Sequence, residues 1–203
     1  MNAYEQWVLP YLIRAVMRHD ALLPYRQRLT SAAEGRVLEI GSGSGLNLPL
    51  YTSATSIVTL DPSGPLLSMA REAAKQARCP VDLLEGSAER IPLDGHSVDT
   101  VVSTWTLCSI PDASRALREV RRVLRSSGRL LFVEHGLAPD ANIHRWQDRL
   151  TPVWKHIAGG CHLNRPIDRL VEDAGFRIEQ LHSGYMQGPR ILTFMYEGCA
   201  HPT

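Results

Sequence analysis

The segment Val37-Leu38-Glu39-Ile40-Gly41-Ser42-Gly43-Ser44-Gly45 sets an apolar run directly before three alternating glycines. Without Cβ atoms those glycines can take positive φ and let a ligand approach the backbone. A helix start at Leu46-Asn47-Leu48 would then turn its free N–H groups towards that ligand. Twenty residues beyond Gly41, Asp61 closes the next apolar run, Val58-Thr59-Leu60-Asp61-Pro62, a position from which a carboxylate accepts both hydroxyls of a ribose. The competing use of Asp61 is as the N-cap of a helix that opens at Pro62. Leu46 stands where a GxGxxG dinucleotide fingerprint needs Gly or Ala, and no Gly-Lys-Ser/Thr follows as a phosphate loop requires. An adenosine-containing ligand over the glycine turn is the chemistry these residues point to.

The elements that must carry those residues read as alternating strands and helices, the pattern of a parallel sheet with crossover helices. Strands are expected at Arg36–Ile40, Ser56–Leu60, Val81–Glu85, Val98–Ser103 and Arg129–Glu134, apolar enough for a sheet covered on both faces. Helices are expected near Pro65–Arg78, Ala113–Arg125, Ala141–Ile157 and Ile167–Ala174. Late strands near Phe176–Leu181 and Ile191–Tyr196 are expected to pair antiparallel at the sheet edge. In the second helix Leu117, Val120, Val123 and Leu124 recur at helical spacing, and Arg115, Arg118, Arg121, Arg122 and Arg125 interleave with them beside Glu119. A solvated helix face explains those arginines better than a nucleic-acid surface.

A length of 203 residues with 44% hydrophobic and 21% charged residues fits one globular domain with a real core and excludes a disordered or collagen-like chain. Twenty-two Lys and Arg against 21 Asp and Glu leave a formal net charge of +1, so no global field draws in nucleic acid. Cys79, Cys108, Cys161 and Cys199 contain no CxxC pair, which gives neither a zinc-ribbon nor a thioredoxin reading and fits a reducing cytoplasm. No run approaches the roughly 18 apolar residues of a membrane span, and the opening segment lacks the features of a signal peptide. Its apolar residues, Trp7 and Tyr11 among them, suit a helical lid over residues 1–34, or a helix that lies on a membrane surface.

Together the glycine turn, Asp61, the loop Gly86-Ser87-Ala88-Glu89, the segment Asp94–Asp99 before a strand, and Glu119–Arg125 leading to Gly128 resemble the class I S-adenosylmethionine (SAM)-dependent methyltransferases over nearly the whole chain. The resemblance implies a Rossmann-like α/β fold: a seven-stranded, mostly parallel sheet with one antiparallel edge strand and helices on both faces. It implies SAM as cofactor, with Glu39 beneath it, Gly41, Ser42, Gly43 and Gly45 lining it, and Asp61 with Pro62 at the ribose. Ala88 and Glu89 would lie at the adenine, and Thr104 and Leu107 near the methionine moiety. A narrower resemblance, carried by Thr104–Ile110, Glu134-His135 and Trp154-Lys155-His156-Ile157-Ala158-Gly159-Gly160-Cys161-His162-Leu163-Asn164-Arg165, is to small methyltransferase-like alkyl thiol S-methyltransferases.

The methyl of SAM is already activated, so the protein has to hold a nucleophile in line behind it and needs no covalent intermediate. A thiol acceptor, with an intrinsic pKa near ~8.5, reacts as the thiolate and needs little base machinery. His135, at the carboxyl edge of the sheet, is the first candidate to orient or deprotonate the acceptor, the alternative being a histidine bonded to backbone at a strand end. His156 is the second candidate. Cys108, Trp154 and Cys161 are expected in the pocket wall, with residues 136–166 forming a cap insert, and Trp7 and Tyr11 closing the pocket from above. Thiol S-methylation by a monomer or homodimer leads; O-, N- or C-methylation of a phenol, quinone precursor or lipid head group follows, and a non-catalytic SAM-binding module is the third reading.

Overall fold

The computed structural model describes residue 4 and residues 7–203. Seven strands form one sheet: β1 (Glu34–Ile40), β2 (Ser53–Asp61), β3 (Val81–Glu85), β4 (Val98–Thr104), β5 (Leu124–His135), β6 (Phe176–Tyr185) and β7 (Phe194–Pro202). Their order is β3-β2-β1-β4-β5-β7-β6. β1 to β5 pair in parallel, β7 runs antiparallel to both β5 and β6, and β7 is therefore the one reversed strand. It sits inside the sheet, and β6 takes the edge.

Period-two alternation sends each central strand to two cores. Leu38, Ile40, Val58, Leu60, Val101, Leu130 and Phe132 face one side and pack with α4 (Ala113–Val123) and α6 (Ile167–Asp173). Val37, Ile57, Val102, Leu131 and Val133 face the other, against Leu29 of α2 (Leu23–Ala32) and the alanines at the end of α3 (Gly64–Ala74). α4 buries Ala113, Ala116, Leu117, Val120 and Val123, and Asp112 Oδ1 caps it by accepting from the Arg115 N–H at 2.9 Å. Its arginines lie outward; Arg122 bonds Glu119 and the carbonyls of Ile91 and Leu93.

Three expectations need correction. No α-helix follows the glycine turn: residues 43–47 form turns and Leu48–Leu50 a single 3-10 turn, because Pro49 and the buried Asn47 and Tyr51 tie the segment to β1. Arg125 is not helical, since Leu124 already pairs with Val98 of β4. The last strand begins at Phe194 and runs on through Glu197-Gly198-Cys199-Ala200-His201-Pro202, a stretch with no β-branched residue to announce it; Arg190–Leu192 is a 3-10 turn.

The remaining helices bound the carboxyl edge of the sheet. α1 (Leu9–Met17) lies against the end of α5 (Ala141–Ile157): a Cβ on Gly159 would stand 3.3 Å from Ile13 Cδ1 and 3.6 Å from Leu9 Cδ2, and Tyr4 donates to the Ile157 carbonyl at 2.9 Å. Among the described residues, no helix is long and apolar enough to cross a membrane.

The insertion of β7 depends on Gly198, which crosses Phe132 so closely that an added Cβ would lie 2.6 Å from Phe132 Cζ and 2.7 Å from the Gln180 carbonyl oxygen. Gly198→Ala is expected to destabilise the fold by about 1–3 kcal/mol through overpacking, read as a lower urea midpoint with an unchanged slope.

Candidate active site

Three buried carboxylates, Glu39, Asp61 and Glu134, stand at the carboxyl ends of β1, β2 and β5, and each organises a loop. Gly41 leaves β1 with φ +63°, and a Cβ there would fall 2.1 Å from Thr106 Oγ1, so glycine alone fits. Gly43, at φ +55°, has nothing within 4 Å of its Cβ position: this is the open side of the loop. Asp61 reaches across from β2. Its Oδ2 accepts from the Gly43 N–H at 2.8 Å and its Oδ1 from the Ser63 N–H at 2.8 Å. Helix capping belongs to Ser63, whose Oγ accepts from the Leu66 N–H, so the capping use of Asp61 is overturned. Burial raises the Asp61 pKa, opposed by those two N–H donors. Beside it the Ser42 hydroxyl is buried with no hydrogen-bond partner among the described residues, and Pro62 is exposed at the rim.

Glu39 lies below this loop, almost wholly buried. Its Oε1 accepts from Asn47 Nδ2 and its Oε2 from the Tyr51 hydroxyl, both at 2.8 Å. Asn47 also donates to Thr104 Oγ1 at 3.1 Å and accepts from the buried Arg26 at 2.8 Å. Burial pushes the Glu39 carboxyl up to about 7 even though Tyr51, Asn47 and Arg26 favour its charge. Arg26 and Tyr51 escape sequence reasoning because they lie in segments with no motif, and Asn47 because it reads as a helix start; its amide beside the glycine turn is the one signal that could have found the group.

Glu134 gathers the loop after β4. It accepts from Ser103 Oγ at 2.6 Å and from the N–H groups of Thr106 and Cys108 at 3.1 and 3.2 Å. Arg165 holds the same loop by donating to the carbonyls of Leu107 and Pro111. Leu107 itself is fully buried in the core cluster. Ala88 is buried in that cluster too, and Glu89 spends its carboxylate on Ser87 Oγ at 3.0 Å and the Asp112 N–H at 2.8 Å, fastening its loop to α4.

Beyond β4 and β5, Cys108, His135, Trp154 and Cys161 come together. Cys161 Sγ lies 3.8 Å from Cys108 Sγ and 3.7 Å from His135 Nδ1. Among the described residues, none is a hydrogen-bond partner of the buried His135 Nε2 or Trp154 Nε1. The Cys108 thiol draws the Cys161 thiol below the ordinary range against the effect of burial, and Cys108 is pushed up in turn. His156 stands apart: it is exposed, with Nδ1 2.7 Å from the Pro152 carbonyl. Two residues along a helix span about 200°, so Trp154 facing inward turns His156 to solvent. Trp7 and Tyr11 are 67% and 58% exposed and close no pocket.

A parallel sheet with one reversed strand, a positive-φ glycine loop and an acid at the end of the neighbouring strand define a nucleoside-cofactor site on a Rossmann-like fold. Residues 38–132 match the family described as a methyltransferase domain. The chain is 34% identical over 200 residues to the human thiol S-methyltransferase TMT1A, covering 91% of this chain and 80% of that one. It is 38% identical over 154 residues to human TMT1B, and that match spans 62% of the relative's length. A phosphatidylethanolamine N-methyltransferase of Cereibacter sphaeroides is 30% identical over 172 residues. A solved SAM-dependent methyltransferase from Thermotoga maritima shares the fold, with a TM-score of 0.70 at 22% identity and 98% of each chain covered. The chain belongs to the class I SAM-dependent methyltransferases, and SAM is its cofactor.

A carboxyl whose folded pKa lies above its unfolded one favours the native state below the unfolded value and loses that contribution as pH rises through the folded value. For Glu39 the window runs from 4.5 to about 7. Glu39→Gln keeps a hydrogen-bonding side chain and removes the titration. The stability of wild type relative to Glu39→Gln is expected to fall by about 2–3 kcal/mol between pH 5 and pH 8, measured by urea unfolding at both values.

Proposed function

We propose that this protein methylates the sulfur of a small-molecule thiol. The observation that carries the reading is the group of buried His135 and Cys108 with half-buried Cys161 and Trp154 at the carboxyl edge, which pairs an unpartnered imidazole nitrogen with polarised sulfur. The similarity to thiol S-methyltransferases over 91% of the chain supports the same acceptor class.

The loop fits the cofactor. Gly43 offers open space at positive φ, the Ser42 hydroxyl is buried and unpartnered, and each Asp61 oxygen keeps a lone pair beyond its backbone bond. On this reading Gly41, Ser42, Gly43 and Gly45 line SAM, Asp61 accepts from its ribose hydroxyls with Pro62 at the rim, and Glu39 supports the loop through Asn47. The backbone around Ala88 and Glu89 borders the adenine, and Thr104 the methionine end. When bound, SAM supplies a methyl group on a sulfonium leaving group.

The chain's own residues then dispose of the acceptor proton. Cys161 Sγ donates to Cys108 Sγ, and with the ring hydrogen of His135 on Nδ1, facing the Cys161 sulfur, Nε2 keeps a free lone pair. Nε2 takes the acceptor's S–H proton and later returns it to water. Residues 136–166 carry Trp154 and Cys161 and form the cap that keeps water from this proton transfer. The relative that methylates phosphatidylethanolamine makes an amine head group the second reading.

S-adenosylhomocysteine formation with a panel of alkyl thiols, phenols, amines and phosphatidylethanolamine vesicles is expected to show turnover with thiols alone; turnover confined to amines or lipid overturns the thiol assignment. His135→Ala is expected to lower thiol turnover about 100-fold or more with SAM affinity within a factor of two. Asp61→Ala is expected to weaken SAM binding by about 1.5–3 kcal/mol, roughly 10- to 100-fold, by calorimetry. Unchanged affinity removes Asp61 from the cofactor site.

A further inference from the structure

We propose that Glu179, Cys199 and His201 form a zinc-type divalent metal site at the amino edge of the sheet, remote from the methyl-transfer site. The register places it there: β7 sets Met195 opposite His135 at the carboxyl end of β5, and Cys199 opposite Leu131 further back. Nothing in the methyltransferase reading uses these three side chains.

The backbone brings them together. Cys199 and His201 are two apart on β7, so both leave the same face. Opposite them β6 pairs Ile178 with Ala200 and Gln180 with Cys199, which leaves Glu179 as an extra residue in a bulge. Bulges re-aim side chains, and this one swings the Glu179 carboxylate towards the two ligands on β7. A carboxylate oxygen, Cys199 Sγ and a His201 nitrogen all lie within 4.8 Å of one another. His201 Nε2 is 3.0 Å from Glu179 Oε2 and 3.9 Å from Cys199 Sγ. Donor atoms sharing one tetrahedral zinc stand roughly 3.3–3.8 Å apart, so small side-chain shifts suffice.

The imidazole is oriented for the purpose. His201 Nδ1 lies 3.1 Å from the Gly128 carbonyl, an acceptor, so Nδ1 carries the hydrogen and Nε2 turns to Glu179 and Cys199. A backbone carbonyl on the distal nitrogen is the support that metal-bound histidines commonly have. Thiolate, imidazole and carboxylate together select zinc-like ions over calcium or magnesium. Arg129, the cation whose charge bears on Cys199, is engaged by Glu34 at 2.9 Å. Three protein ligands leave a fourth position for water, and the bound ion clips the edge strand β6 to β7 beside the end of the sheet.

The metal-stripped protein is titrated with Co2+ and then Zn2+. The expected result is one Co2+ per chain with a thiolate-to-cobalt charge-transfer band, displaced by Zn2+, and a thermal midpoint that rises with Zn2+. Cys199→Ser is expected to abolish the band, and His201→Ala to weaken binding by at least about tenfold, since loss of a ligand costs no less than loss of its support. Glu179→Gln, at an exposed position, weakens binding in a protein whose fold is verified by retained SAM binding. Absence of the band, its survival in Cys199→Ser, or unchanged affinity in Glu179→Gln overturns the proposal.

Discussion

The site depends on buried carboxylates at the ends of parallel strands. A strand that stops inside a covered sheet leaves its following loop with N–H groups that helices and ladders do not satisfy, and burying them unpaired costs about 1–3 kcal/mol each. Glu134 answers this for the loop after β4 by accepting from Ser103, Thr106 and Cys108 at once. Asp61 does so for Gly43 and Ser63, and Glu39 for the side chains of Asn47 and Tyr51. Each carboxylate thus fixes a loop on a strand other than its own or on the segment after it. The carboxyl edge becomes rigid without a helix following the glycine turn.

That arrangement has an electrostatic consequence. Burial raises the pKa of all three acids, Glu39 to about 7, and Asp61 adds to the rise at Glu39. Arg26 offsets part of it by its charge while bonding Asn47 rather than Glu39, and its guanidinium also lies 4.9 Å from the Trp105 ring. Trp105 takes φ +51°, an uncommon conformation for a bulky residue, and its N–H donates to the Val133 carbonyl. The strain at Trp105 and the buried charge at Glu39 are thus two ends of one packed unit that joins α2, the glycine loop and the loop after β4.

Much of this was legible in the residues and some was not, for identifiable reasons. The strand at Val98–Thr104 and the helix at Ala113–Val123 read directly from apolar pattern, because burial on both faces or on one helical stripe leaves a strong apolar signal. The glycine turn and Asp61 were legible because backbone conformation and carboxylate chemistry restrict the residue type. The end of β7 was not: Glu197–Pro202 is held by its neighbours in the sheet rather than by its own propensity. Nor was the orientation of His156 against Trp154, which rests on which helix face meets the sheet. The expected helix at Leu46 failed for a related reason: Asn47 and Tyr51 gain more as donors to Glu39 than as helical residues.

On the proposed reading, the acceptor side follows a different logic from the cofactor side. Around SAM the chain supplies backbone geometry and carboxylates, all built on strand ends. Around the acceptor it supplies sulfur and imidazole from three separate segments: Cys108 after β4, His135 at the end of β5, and Trp154 with Cys161 from α5 and the turn after it. The glycines permit that turn, since Gly159 and Gly160 both have positive φ and a Cβ on Gly160 would stand 2.8 Å from the Ser109 carbonyl oxygen. The tight approach sets Cys161 against Cys108 and His135. A methyl donor that is already activated asks only for a positioned nucleophile and a destination for one proton, and on the proposed thiol reading sulfur and one free imidazole nitrogen are what the chain offers for both. The cofactor edge is thus set by the strand ends of the sheet, and the acceptor edge by the turn that brings residues 154–161 back onto it.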